Sequence, residues 1–459
     1  PVVSSNTAIS GAGVYNNGEI VSEKVTFSKN NANNNSSNLT SDELDKVGNG
    51  GAIYNNGKLT VSNSTFSSNN ATTNIADVVE DVLTSSTKYT TTTSIGGNGG
   101  AIYNISSDNL SISNSTFTSN KSGMNGGAIA NDNENSDLNI SGSTFKSNSS
   151  LNKIVTKEYS VNNKTNKKSS TKTVSSVYND RGKGGAIYSK GTININDDLA
   201  FTYDVKNQKV TQFTSNSSYN GGAIYAENGL NVTSTTFVSN SAKGNGGAVY
   251  IVDGSECNIA NSNFTKNNAV NGGAIYVGKN SNVTIQDTSF INNTASGQGG
   301  AIYADTGSLI NIEAGSCDVV FKGNKANGKS NSIYLNNATL ALRGVNNYWI
   351  NIYDDIKGSG DIEKSGNVYI ANESTIENIA IHQIQGRLRI ANENSLVSCS
   401  LSLNNNTGLE VSNGAVRTLS LRTLTLADNT TSDISIDMDL KGKTSDKITA
   451  EKVIGTGTL

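Results

Sequence analysis

The tetrapeptide Gly-Gly-Ala-Ile, or Val in the last place, starts at Gly50, Gly99, Gly126, Gly184, Gly221, Gly246, Gly272 and Gly299, and the last four copies lie 25, 26 and 27 residues apart. Degenerate copies flank them, GAGVY at 11–15 and SNSIY at 330–334. A second motif, Phe-x-x-Asn, begins at Phe27, Phe66, Phe117, Phe145, Phe213, Phe237, Phe264, Phe290 and Phe321, so that only Phe201 of ten phenylalanines falls outside it. A unit this short cannot bury an apolar face alone and must stack on its neighbours.

One unit, "GNGGAIYNNGKLTVSNSTFSSNNA" at 48–71, reads as three short strands: AIYN, LTVS and the segment around Phe66. Short β-branched runs broken by Asn, Gly and Ser are strand signals, and no 3.6-residue period is present. Three strands in about 25 residues make one coil of a parallel β-helix, with coils stacked about 4.8 Å apart. Each position then stacks on its own copies. Ile53, Leu59, Val61 and Phe66 are expected inside as apolar columns. Gly50 and Gly51 are expected at a corner that excludes a side chain. Asn69 is expected in the left-handed region, its amide bonded to its stacked copies. Alignment of "ECNIANSNF" with "KLTVSNSTF" puts Cys257 in the Leu59 column and Ile259 in the Val61 column. Tyr15, Tyr54, Tyr103, Tyr188, Tyr225, Tyr250, Tyr276, Tyr303 and Tyr334 follow the inward Ile or Val, so alternation turns them outward as a cover for the sheet.

Composition fits a thin core better than a large globule. Of 459 residues, 34% are apolar and 16% charged, with 46 glycines. The net charge of −3 lacks the concentrated basic surface that nucleic acid requires. Three dispersed cysteines, Cys257, Cys317 and Cys399, imply no disulfide framework. No apolar run of 18 residues suggests a spanning helix. The start at Pro1, without Met or a leader, is expected to reflect processing.

The usual spacing from Phe to the next Gly-Gly is 8 or 9 residues, and it swells to 23 after Phe27, 33 after Phe66 and 39 after Phe145. Insertions are therefore assigned to 31–47, 70–96 and 149–183, leaving one common corner, with another at 196–211. The segment 153–181 reads as two strands around 162–166, and "DVLTSSTKYTTTTS" reads as a similar hairpin. Residues 1–337 form the repeat region, and 338–459 a less regular continuation of the β-helix. Loops on a rigid scaffold are where binding concentrates. Lys153, Lys157, Lys164, Lys167, Lys168 and Lys172 are the candidate partner-binding residues, set against anionic surfaces such as glycans or lipid headgroups; a loop without a partner is the competing reading.

The paired motifs resemble those of the chlamydial polymorphic membrane proteins, which are autotransporters. "IKGSGDIEKSGNVYI" (Ile356–Ile370) and the segment 434–459 resemble the late passenger region of bacterial autotransporters. The resemblance implies a right-handed β-helix exposed at the cell surface, often adhesive, and exported through an outer-membrane barrel of the full-length precursor. The expected function is therefore a non-catalytic, adhesin-like passenger at the bacterial surface, anchored or released. Its expected partners are glycan or protein molecules of a host or neighbouring cell, and self-association stays open. The alternatives are a structural subunit of an extracellular fibre or coat, and a β-helical polysaccharide-degrading enzyme.

No cofactor, metal or catalytic residue is expected. The single histidine, His382, reads as an ordinary strand residue, which leaves triad chemistry without a base. Four scattered His and Cys side chains do not make a zinc site. The pairs Asp197–Asp198 and Asp354–Asp355 place neighbouring side chains on opposite faces of a strand, unsuited to flanking one glycosidic bond.

Overall fold

The computed structural model describes residues 1–33, 48–82, 86–150, 153–178, 182–197, 210–371, 374–411, 414–428, 431–439, 442 and 444–456. Most of the insertions at 31–47 and 196–211 lies outside these, as do Phe201 and Asp198. The chain divides into two compact units: Pro1–Asn194 with Asp204–Ala226 and Ser241–Gly244, and Ile195–Tyr203 with Glu227–Asn240 and Asn245–Leu459. Both are parallel β-helices. The described residues contain no α-helix, and the only helical piece is the 3₁₀ turn Glu393–Ser395.

In the first unit a coil runs Ile53–Asn55, Lys58–Ser62 and Thr65–Ser67, the three strands read from the sequence, then adds a two-residue strand, Asn70–Ala71. Each strand pairs in parallel with its copy one coil on. Ile53 faces Ile102, then Ile129, then Ile187. Val61 faces Ile112 and then Ile140. Phe66 faces Phe117, then Phe145, then Phe213. Ile53, Leu59, Val61 and Phe66 are all at most 1% exposed, so the four apolar columns are the core. Phenylalanine rings stack 4.7–4.9 Å apart from Phe27 to Phe213, matching the rise per coil. The second unit repeats the pattern, with Phe237, Phe264, Phe290 and Phe321 stacked in register. Cys257 lies in register with Leu230 and Ile259 with Val232; burial pushes the Cys257 thiol far up from its ordinary value.

The two glycines of the corner are required for different reasons. Gly50 has φ +67°, and a Cβ there would come within 2.3 Å of the Ile53 carbonyl oxygen. Gly51 has ordinary backbone, but its Cβ would lie 2.1 Å from the Gly100 carbonyl oxygen of the next coil. At the other corner the expectation for Asn69 is half corrected. The left-handed residue is Ser68, with φ +55°, while Asn69 turns its amide into the core. The bend has to come one residue early so that the amide can point inward.

That amide belongs to a ladder through Asn30, Asn69, Asn120, Asn148 and Asn216. Asn69 donates from its backbone N and its Nδ2 to Asn120 Oδ1, both at 3.0 Å, and from Nδ2 to the Phe27 carbonyl at 3.0 Å. Asn120 and Asn148 repeat all three bonds. Every polar atom of a fully buried amide is thereby used, which removes the penalty of burying it. In the second unit the ladder of Asn240, Asn267, Asn293 and Asn324 ends on a carboxylate. Asp354 accepts from Gly323 N, Asn324 N and Asn324 Nδ2, each at 2.8 Å.

Beyond the repeats the coils shorten: Ile356, Ile376 and Leu396 share one column, Ile362, Ile381 and Leu401 a second, and Val368, Leu388 and Leu409 a third. Two inward side chains of one column break the apolar rule, Lys364 and its ladder partner Gln383, which is fully buried and donates to the Gly386 and Gly408 carbonyls. Lys364 follows Ile362 with inward parity and is 1% exposed, its Nζ donating to the Gln385 carbonyl at 3.0 Å. Burial pushes its amine down to about 7.

Asn120→Ala leaves Asn69 N and one hydrogen of Asn69 Nδ2 without an acceptor and is expected to cost on the order of 3 kcal/mol. Phe117→Ala is expected to cost roughly 3–5 kcal/mol. Because solenoid stability is close to nearest-neighbour, amide exchange should quicken mainly in the coils of Phe66 and Phe145. For Lys364 the sign follows from the lowered folded value. Between about pH 7 and 10.5 the unfolded chain holds a proton that the folded chain has shed, so this group makes stability rise with pH across that window. Lys364→Met is expected to raise the denaturant midpoint near neutral pH and to flatten its rise toward about pH 10.

Candidate binding surface

Two of the insertions are hairpins, and they join. Thr73–Val82 pairs antiparallel with Ser86–Gly96, and Lys153–Asn162 with Lys172–Tyr178. Residues 86–93 of the first hairpin then pair antiparallel with 155–162 of the second, giving one four-stranded sheet. The short strands Asn70–Ala71 and Ser149–Ser150, at the start of these spans, belong to the regular coil.

Registration sorts the lysines onto faces. Tyr89 stands opposite Tyr159, and the two rings stack at 4.9 Å. Lys157 shares their face by strand parity, and Lys168 reaches it from the turn, its Nζ 3.8 Å from the Tyr159 centroid. The other face carries Lys88, Glu158 and Lys172; Lys88 pairs with Glu158 at 3.2 Å, and Glu158 stands opposite Lys172. Lys157, Lys164, Lys167, Lys168 and Lys172 are exposed, and the sole acid between 153 and 172 is the Glu158 already paired. Lys153 lies at the base of its hairpin, where it faces Tyr178 in the ladder.

The turn is tightly held. Asn162 Oδ1 accepts from Lys164 N and Thr165 N, both at 2.9 Å, and Asn162 N donates to the Lys167 carbonyl. Asn166 supplies the left-handed residue at φ +52°. Thr87 Oγ1 donates to Asn163 Oδ1 at 2.9 Å, tying the tip to the other hairpin. Sequence reading found both hairpins and the lysines but missed Tyr89, Thr87 and Lys88 as partners. Their contacts lie about 70 residues apart in sequence, and only the pairing of the two insertions brings them together.

The other candidates are taken up by structure. In the first strand, tyrosine rings stack face to face: Tyr15 on Tyr54 at 4.6 Å, and Tyr250, Tyr276, Tyr303 and Tyr334 in succession at 4.8–5.5 Å. Their faces are spent on one another, and hydroxyls of Tyr103 and Tyr276 donate to Asp132 and Asp305. His382 is exposed, its Nε2 3.0 Å from Asp361 Oδ1. Asp354 and Asp355 are both buried; burial holds the Asp354 carboxyl above the usual range, and Asp355 pairs with Lys357 at 3.2 Å. Among the described residues no three His, Cys, Asp or Glu side chains cluster as a metal site, and no helix is long and apolar enough to cross a membrane.

Neither a curated protein nor a solved structure matches the chain. A family profile does, at residues 24–56, 114–132, 210–227, 234–252 and 287–305. Each match runs from a Phe-x-x-Asn strand through the Asn corner to the next Gly-Gly-Ala and its Ile or Val, the structural unit described above. At these five places the chain matches the Chlamydia polymorphic membrane protein (Chlamydia_PMP) repeat.

Proposed function

We propose that this chain is a non-catalytic passenger that attaches a bacterial cell to a host or neighbouring cell, with the two-hairpin sheet as its contact surface. The family repeat supports a place at the cell surface, anchored in or released from the outer membrane. The observation that carries the adhesive reading is the convergence of two separate insertions into one sheet with a braced, uncompensated cationic turn. A loop without a partner has no need of the Thr87–Asn163 bond, the Tyr89–Tyr159 stack or the seating of Lys168 on Tyr159. Ordering those side chains costs entropy in advance, which lowers the cost at binding.

Charge reversal tests this better than deletion, because removing 153–181 also strips the partner from strand Ser86–Gly96 and leaves an open edge. The triple variant Lys164→Glu, Lys167→Glu, Lys168→Glu is expected to keep the fold by circular dichroism. It should lower cell attachment at least several-fold and abolish its salt sensitivity. Unchanged attachment would remove the sheet as the adhesive element. For location, mild protease treatment of intact cells should release the antigen; recovery from the cytoplasm alone would refute a surface passenger.

A further inference from the structure

Where the repeat region gives way to shorter coils, the second unit forms a groove of about 500 Å³. Its origin is a change in coil design. The short fourth strand stacks from Asn268–Ala269 to Thr294–Ala295 to Lys325–Ala326, and then Lys329–Ser330 folds back antiparallel on the last of these. In the next coil the chain passes from Ile352 through Tyr353, Asp354 and Asp355 straight into Ile356, with no fourth strand. The column stops, and Lys322, Lys325 and Ser330 at its end line the groove together with Tyr353 and Tyr369 of the following coils.

Three features distinguish this groove from the rest of the unit. Tyr353 and Tyr369 meet edge to face, 6.2 Å apart at 79°, outside any ring-on-ring column, and the Arg389 guanidinium lies 5.8 Å from the Tyr369 centroid, so that each ring keeps one face off the stack. Lys322 lies 5.3 Å from the Tyr353 centroid, and neither Lys322 nor Lys325 pairs with a carboxylate among the described residues. The acid in the groove, Asp354, is committed to Gly323 N and to the N and Nδ2 of Asn324 at the end of the asparagine ladder. Aromatic faces, two uncompensated ammonium groups and a volume within the range of small-ligand sites suit a sugar ring that carries an anionic group.

We propose that this groove binds one acidic sugar unit of a glycan, with Tyr353 and Tyr369 packing on the ring and Lys322 and Lys325 holding its carboxylate or sulfate. It shares no residue with the hairpin sheet, and the two can be tested apart. The test is calorimetric titration of the intact chain with a hexasaccharide alternating glucuronic acid and N-acetylglucosamine, against a neutral glucose hexasaccharide. The acidic sugar should bind saturably and the neutral one markedly less. Tyr353→Ala and Lys325→Glu, both at exposed or half-exposed positions and checked for native circular dichroism, should each weaken binding about tenfold or more. Lys164→Glu with Lys167→Glu and Lys168→Glu should leave it unchanged. No saturable binding, equal binding of the neutral sugar, or loss through the hairpin lysines with Tyr353→Ala silent would each overturn the proposal.

Discussion

Hydrogen bonding between successive coils sets the rise at about 4.8 Å, and the rest of the structure follows from that spacing. Each residue of a regular coil meets the copy of itself one turn away. Through the repeats a phenylalanine therefore meets a phenylalanine and a buried amide another amide, until Ile352 and Asp354 take those places at the end of the columns. The asparagine ladder is the strictest case, because its donors and acceptors interlock along the stack. A single interior break leaves buried groups unpaired on a neighbouring coil. Asp354 shows how such a ladder ends: a group that only accepts when ionised takes the last three donors, and no further asparagine is required.

A stack that needs identical neighbours leaves little room for a specific site on its regular faces. The tyrosines illustrate this. They lie where a sugar-binding surface could be imagined, yet ring-on-ring stacking uses their faces and acids take up hydroxyls. Individual chemistry has to arise where repetition is broken. Two such places stand out: the corner that emits the hairpins, and the step where the fourth strand is lost. Both carry lysines without a balancing acid, the first on a braced turn and the second beside a pair of unstacked rings.

The same logic places the buried carboxylates. Asp287 accepts from Gly315 N, Ser316 N and Cys317 N, and Asp354 and Asp355 are likewise bound into backbone and ladder contacts. In a narrow solenoid, acids near the core tie coils together. Lys364 is the opposite case, an inward amine with one carbonyl partner, held at a cost that burial makes plain.

The repeats by themselves determined the coil, its columns and the corner glycines, because in an in-register stack a local pattern is already a tertiary contact. Phe66 predicts its neighbours at Phe27 and Phe117 without any further information. Only the tertiary structure decided the rest. The left-handed residue fell on Ser68 because Asn69 must aim inward. Lys364 was hidden in alternating sequence whose parity, but not its polarity, marked it as internal. The union of residues 86–93 with 155–162 had no signal, since inserted strands have no stacked copy to name their partner. Where their corners place them in space makes that choice, and the groove at Tyr353 likewise exists only because adjacent coils differ in length.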